Sequence, residues 1–372
     1  MHSHFPRQQV LSPTTFTQTN LISDGSTQAG SAQQTDPNLI NPWGVAYSAT
    51  GPFWISENNS GVSSIDSVTA NGVTLNAIPP VTIAAPTLDG GPAAPTGQVF
   101  NSFASTGAFT LQDGSPANFL FATEDGTISG WTPAAGSQSI IAVNESANPA
   151  DGNEAQGVGA VYKGLAIADT GPLLYAANFR HGTVDVYDQN FNEVNSFTDD
   201  NLPTGYAPFN VQVLNGKLFV TYALQDDAKH DDVAGPGNGF VDEFDLQGHL
   251  LARVASGGAL DSPWGLAIAP SSFGSFGGDL LVGNFGDGTI EAYNLKNDQF
   301  VGNLTDAGGN PIVIPDLWEL IPGNNGSAGS SNTIYFTSGV QDEMHGLFGS
   351  LTASQTPSPA AMTGTGSNHM TG

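Results

Sequence analysis

The sequence predicts an all-β chain folded as a six-bladed β-propeller. Three observations carry this. An apolar hairpin pattern recurs six times along the 372 residues. Its copies lie 49 to 65 residues apart, which is long for one hairpin and suits a four-stranded blade with generous loops. The composition agrees, because 47 Gly and 24 Pro with only 39% hydrophobic residues describe many short strands joined by turns.

The clearest hairpins are LLYAANFRHGTVDVYDQN (173–190) and LLVGNFGDGTIEAYNLKN (280–297), which align apolar residue over apolar residue. Weaker copies occupy 53–67, 119–133, 218–245 and 334–351. A glycine opens the second strand of each: Gly61, Gly126, Gly182, Gly239, Gly288 and Gly346. Upstream lies a further strand, NPWGVAYS (41–48), YKGLAIAD (162–169), FNVQVLN (209–215), SPWGLAIAP (262–270) or residues 316–320, with Phe100 to Ala104 filling that place in the second unit. Small apolar residues suit an innermost strand packed around a narrow axis. Segments such as EVNSFTDD (193–200) and QFVGNLTDA (299–307) supply the outer strand.

The sixth unit ends near Leu351 without an outer strand, while TTFTQTNLI (14–22) alternates and belongs to no unit. That N-terminal strand is predicted to close the ring and remove the exposed edge. The expected organisation is a flexible N-terminus (1–13), one propeller domain (14–351) and a disordered low-complexity tail (352–372).

Charge narrows the partners. A formal net charge of −27 from 34 acidic and 7 basic residues repels phosphate backbones and anionic membranes, so no nucleic acid is expected. Metal cations and neutral or cationic ligands fit that field. No apolar run approaches the ~18 residues of a spanning helix, so no membrane insertion is expected. The absence of cysteine excludes disulfides, thiolate metal sites and Cys nucleophiles. Few lysines with abundant Asn, Thr and Gly suit a secreted, extracellular protein, although MHSHFPRQQVLSP has no apolar core of a signal peptide.

The strings NPWGVAYSATGPFWISENNSG, FRHGTVDVYD, HDDVAGPGNGFVDEFD, SPWGLAIAP, LLVGNFGDGTI and HGLFGSL resemble a family of uncharacterised secreted bacterial proteins, some with PEP-CTERM sorting tails. The resemblance runs from about Phe16 to Leu351; the tail carries neither a Pro-Glu-Pro string nor a hydrophobic anchor. More distantly, the Pro-x-Gly-Leu-Ala strand is similar to NHL-type propellers and their lactonase and lyase relatives. The resemblance implies the fold, and through those relatives a metal-dependent lyase or lactone hydrolase.

Candidate ligands for a metal are His181, His230 and His345, placed in the connections between second and third strands, on the face where propellers usually bind ligands. Three imidazoles with an open position suit Zn²⁺ or Cu²⁺. Each His-Gly pair equally suits an ordinary tight turn. The loop Asp226 to Asp232 has four Asp around His230, so Asp231 and Asp232 are candidates for Ca²⁺, although no EF-hand spacing is present. Glu57, Asn210 and Glu319 are further candidates, because the lactonase resemblance implies Ca²⁺ held by carboxylates and Asn at a channel mouth; satisfied buried polar groups are the other reading. Trp43 and Trp264, with Trp318 in the matching place, either pack between blades or stack on a sugar. No phosphate-binding, G-x-S-x-G or HExxH motif occurs, and no organic cofactor is implied. The expected function is therefore binding of a metal and a small or carbohydrate-like ligand on the upper face, with lyase or lactonase chemistry; the alternative is a non-catalytic extracellular binding protein.

Overall fold

The six hairpins grow into six antiparallel sheets arranged as propeller blades. The structure is a computed structural model and describes residues 14–86, 91–146 and 159–355. Residues 1–13 and 356–372, expected to be flexible, lie outside the described residues. Strand order in blade 3 is sequential from Tyr162–Ile167 through Leu174–Asn178 and Thr183–Tyr187 to Glu193–Phe197, and blades 2, 4 and 5 repeat it.

Blade 6 is closed by the opposite end of the chain. Thr14–Ser23 pairs antiparallel with Leu347–Gln355, from Thr14 opposite Gln355 to Ser23 opposite Leu347, with a one-residue bulge between Asn20 and Ile22 that lets both Leu21 and Ile22 turn inward. Alternation decides which side chains go inward. Phe16 packs on Phe273 and Phe276 of blade 5, with ring centroids 5.1 and 5.7 Å away. Leu21 and Ile22 join the core between blades 6 and 1. The last strand runs to Gln355, so residues 352–355 belong to the blade rather than to a tail beginning at Thr352.

Six apolar cores lie between successive blades, and a seventh lies on the axis. The inner strands around that axis are Pro42–Ala46, Pro95–Phe100, Tyr162–Ile167, Tyr206–Leu214, Pro263–Ile268 and Leu317–Pro322. The second of these corrects the expected Phe100 to Ala104; Ala104–Thr106 is instead a single 3₁₀ turn.

Each inner strand slips register at its upper end, where its first residue meets the second strand. Side chains there can therefore turn toward the axis. The residues at this slip are Trp43, Thr96, Lys163, Phe209, Trp264 and Trp318, and the next are Gly44, Gly97, Gly164, Asn210, Gly265 and Glu319. Glycine at the latter positions lets neighbouring inner strands touch: a Cβ on Gly97 would lie 2.3 Å from the Leu165 nitrogen. Lys163 is the one cation in a ring otherwise dominated by aromatics.

Candidate functional site

The aromatic residues of this ring form a plug across the upper channel. Trp43 and Trp318 stack at 3.5 Å, Phe285 stacks on Trp318 at 4.2 Å, and Trp264 meets both tryptophans edge-on. All three tryptophans are buried. Stacking a sugar on Trp43 or Trp318 is excluded by geometry, because their faces are covered by each other, and the expected role in ligand stacking is corrected to packing. Trp264 Nε1 donates to the Lys163 carbonyl at 3.1 Å, tying the plug to the inner strand of blade 3.

Lys163 rises from this plug. Its Nζ lies 5.1 Å from the Trp43 ring centroid, and the residue is 2% exposed. It forms an ion pair with Glu124 from blade 2 and a second, at 3.3 Å, with Asp231 Oδ1 from the long loop of blade 4. Burial alone would pull the lysine down, but the carboxylates of Glu124 and Asp231 outweigh it and hold the ammonium above its ordinary value. Glu124 is oriented in turn by Asn58, whose Nδ2 donates to Oε2 at 2.9 Å.

The loop that carries His230 is fixed by its own backbone. Asp226 Oδ1 accepts from the His230 and Asp231 amides at 2.8 and 3.3 Å, and Gln225 bridges to Asp232. Asp226 is thereby committed to the turn, not held out as an oxygen ligand. His230 Nδ1 faces Asp231 Oδ1 at 2.8 Å; that hydrogen bond raises the imidazole and, with Lys163 beside it, holds Asp231 low. From blade 6 comes Glu343, whose Oε2 accepts from Asn41 Nδ2 at 2.6 Å. Burial, reinforced by Glu124, pushes Glu343 up to about 7. Four blades thus bring a fixed ammonium, an imidazole–carboxylate pair and a carboxyl that titrates near neutrality to one mouth.

Ligand atoms of Glu124, His230 and Asp231 lie within 4.8 Å of one another. One imidazole nitrogen and two carboxylates would suit a borderline ion such as Zn²⁺. The set does not fit a metal as it stands, because the Lys163 ammonium contacts both carboxylates and already supplies their counter-charge. Any divalent ion would have to displace an ammonium that already bridges both carboxylates, and no chemistry is routed through one below.

The other expected ligands do not join this set. His181 Nδ1 lies 3.0 Å from Asn178 Nδ2, and its ring lines a side cleft with Glu145, Tyr162, Asp185 and Tyr187. His345 Nδ1 is bonded to Asp24 at 2.6 Å. The tight turn of each hairpin turns these rings to the blade's flank, so the three histidines do not converge. Asp232 follows the mouth loop, but its buried Oδ2 has no partner and burial raises its carboxyl. Glu57 is buried in blade 1 with both carboxyl oxygens unpartnered, and burial holds it far above its ordinary value. Asn210 and Glu319 lie on the lower side of the plug, lining a separate cavity with Trp264. A Ca²⁺ site joining Glu57, Asn210 and Glu319 is therefore not formed. The functional residues that sequence reasoning missed are Glu124, Lys163, Glu343 and Asn41.

Fold and mouth together define a six-bladed propeller with a charged axial site. The sequence is 31% identical over 370 residues to the uncharacterised protein R648 of Acanthamoeba polyphaga mimivirus, covering 94% of this chain and 82% of the relative. Uncharacterised protein L690 of the same virus is 31% identical over 335 residues, covering 87% and 83%. The chain belongs to the family of these proteins. They are viral, and they lend no support to the bacterial, secreted character expected from the resemblance. No protein-family model matches the sequence. Among solved structures, a protein of unknown function from Bacteroides thetaiotaomicron shares the fold at 10% identity and a TM-score of 0.51, covering 91% of this chain and 76% of the other. A virginiamycin B lyase from Staphylococcus aureus is 12% identical with a TM-score of 0.47, covering 91% and 99%.

Proposed function

We propose that this chain is an exported enzyme of the lyase or lactone-hydrolase class, which binds a small polar or carbohydrate-like ligand at the upper axial mouth and moves a proton on it. The observation that carries the reading is the buried Lys163 ammonium, at a position filled by Trp or Phe in four of the other five blades and by Thr96 in blade 2, facing His230–Asp231 and Glu343. A fixed positive charge in a desolvated pocket stabilises a developing oxyanion or enolate. Glu343, once deprotonated, takes the proton as base, and His230, held protonated by Asp231, gives its own proton to the leaving oxygen; Glu343 then loses a proton to solvent and His230 regains one. Activity then follows a bell, rising as Glu343 ionises around pH 7 and falling as His230, held above its ordinary value by Asp231, loses its proton.

The test is turnover of a panel of fluorogenic lactones and esters. Lys163→Met is expected to lower kcat/KM by at least ~100-fold. It also strands the Glu124 charge in a buried site, at a cost of about 3–5 kcal/mol. Adding Glu124→Gln is expected to restore the melting temperature and leave activity lost. Full turnover by the folded double variant, or no turnover of any panel member by the wild type, would overturn the reading.

A further inference from the structure

Below the tryptophan plug the inner strands enclose a second space, a cavity of about 410 Å³ that opens on the face opposite the charged mouth. Its size lies in the range of small-molecule sites and matches about a dozen waters at ~30 Å³ each. The walls are aliphatic: Val45, Val99, Leu165, Val213, Leu266 and Leu320. Among the described residues, no Lys, Arg or His lines it.

At its inner end sits Glu319, 3% exposed. The carboxyl is organised for its anionic form. Oε1 accepts from Gln212 Nε2 at 2.9 Å and from the Leu320 amide at 3.1 Å, and Oε2 accepts from the Val45 amide at 3.3 Å. Every one of these donors is neutral. The amides beside it are committed elsewhere: Asn210 Nδ2 donates to the Trp264 carbonyl at 2.8 Å, and Gln98 Nε2 donates to the Gly44 and Trp54 carbonyls at 2.8 and 2.6 Å. A buried carboxyl with donors on both oxygens and no counter-ion keeps its proton until a cation enters, and can then become half of an ion pair.

We infer that this lower cavity binds a small organic cation, an amine whose ammonium pairs with Glu319 and whose apolar body lies against the aliphatic walls. An inorganic cation would gain nothing from those walls, and one carboxylate does not make a cage for a divalent ion. The −27 charge of the chain raises the local concentration of cations at the opening. Among the titratable groups around Glu319, Tyr47 lines the same cavity and is pushed up to about 12, so it stays neutral. Asp169 also lines the cavity, and Lys163, on the inner strand of the opposite blade 3, is held by Glu124 and Asp231 at the upper mouth. Burial pushes Glu319 up to about 8, so in the empty cavity at pH 7 it carries a proton, which an entering ammonium expels.

The experiment is titration calorimetry of the full chain with 2-phenylethylamine, its uncharged isostere 2-phenylethanol, and 3-phenylpropanoate. The amine is expected to bind at least about tenfold more tightly than the alcohol, and the carboxylate not at all. Comparing buffers of different ionisation enthalpy at pH 7 should show close to one proton released per amine bound, and the amine affinity should rise about tenfold from pH 6 to pH 7. Glu319→Gln, which keeps the shape, should equalise amine and alcohol. If that variant fails to fold, the proton count and pH dependence of the wild type decide alone. Equal binding of amine and alcohol, absence of proton release, or no binding tighter than about 1 mM would overturn the inference.

Discussion

A chain shortened to begin at Asp24 will not form a stable propeller. Thr14–Ser23 is the outer strand of blade 6, and without it Leu347–Gln355 becomes a bare edge nine residues long. Three buried side chains leave with the strand, Phe16, Leu21 and Ile22. At about 1.5–3 kcal/mol each, their loss alone approaches the 5–15 kcal/mol that typically separates folded from unfolded chains. Lost ladder hydrogen bonds add to it. The expected result is a fall in melting temperature of more than ~15 °C, or no cooperative melt, with edge-to-edge association visible by size-exclusion chromatography. A melt matching the full chain would show that the ring does not depend on this closure. Phe16→Ala, which keeps the strand, should cost about 3–5 kcal/mol by opening the core it shares with Phe273 and Phe276.

That strand was legible because alternation is a local property. TTFTQTNLI states its own period, and the missing outer strand of the sixth unit left one place for it. The second inner strand was misplaced for an equally local reason. Pro95-Thr96-Gly97 carries the same Pro-x-Gly as Pro42-Trp43-Gly44 and Pro263-Trp264-Gly265, but Thr96 replaces the tryptophan that marks the others. The mouth was legible only in part. His230 and Asp231 stand out in an acidic loop, whereas Glu124, Lys163 and Glu343 are far apart in sequence and meet only because the ring brings blades 2, 3, 4 and 6 to one axis. One signal was available: Lys163 is one of 7 basic residues and stands in an apolar inner strand in the place of Trp43 and Trp264. The histidines misled because a residue's place in a hairpin turn does not fix where its ring points; His345 is drawn to Asp24, just beyond the strand that closes blade 6.

The fold should lose stability as pH rises through neutrality, against the ordinary expectation for a protein with paired carboxylates. Burial pushes Asp66 up to about 6, Asp242 up to about 7 even beside Arg253, and Glu291 and Glu319 up to about 8. Each of the four is under 4% exposed, and Asp242 Oδ2 and Glu291 Oε2 have no partner. All four bind their protons more tightly folded than unfolded. Their contribution is therefore complete below the ordinary carboxyl range near pH 4 and is lost progressively as pH climbs from there to the raised values, ending at about 6 for Asp66 and about 8 for Glu291 and Glu319. Asp24 and Asp199, held below the usual range by their hydrogen bonds despite burial, act in the opposite sense, but only under about pH 4. Between pH 5 and pH 8 the expected loss is on the order of 5 kcal/mol, read as a fall of about 10 °C in melting temperature. Self-repulsion of the −27 chain would give the same sign, so the measurement belongs in about 0.5 M salt, where exposed charges are screened and buried ones much less so. Glu291→Gln separates the two causes. It removes one titrating proton from the core, so the slope of stability against pH between pH 6 and pH 8 should become shallower in the variant at any salt. A slope unchanged by this substitution, and abolished by salt in the wild type, would place the effect on the surface instead of in the blades.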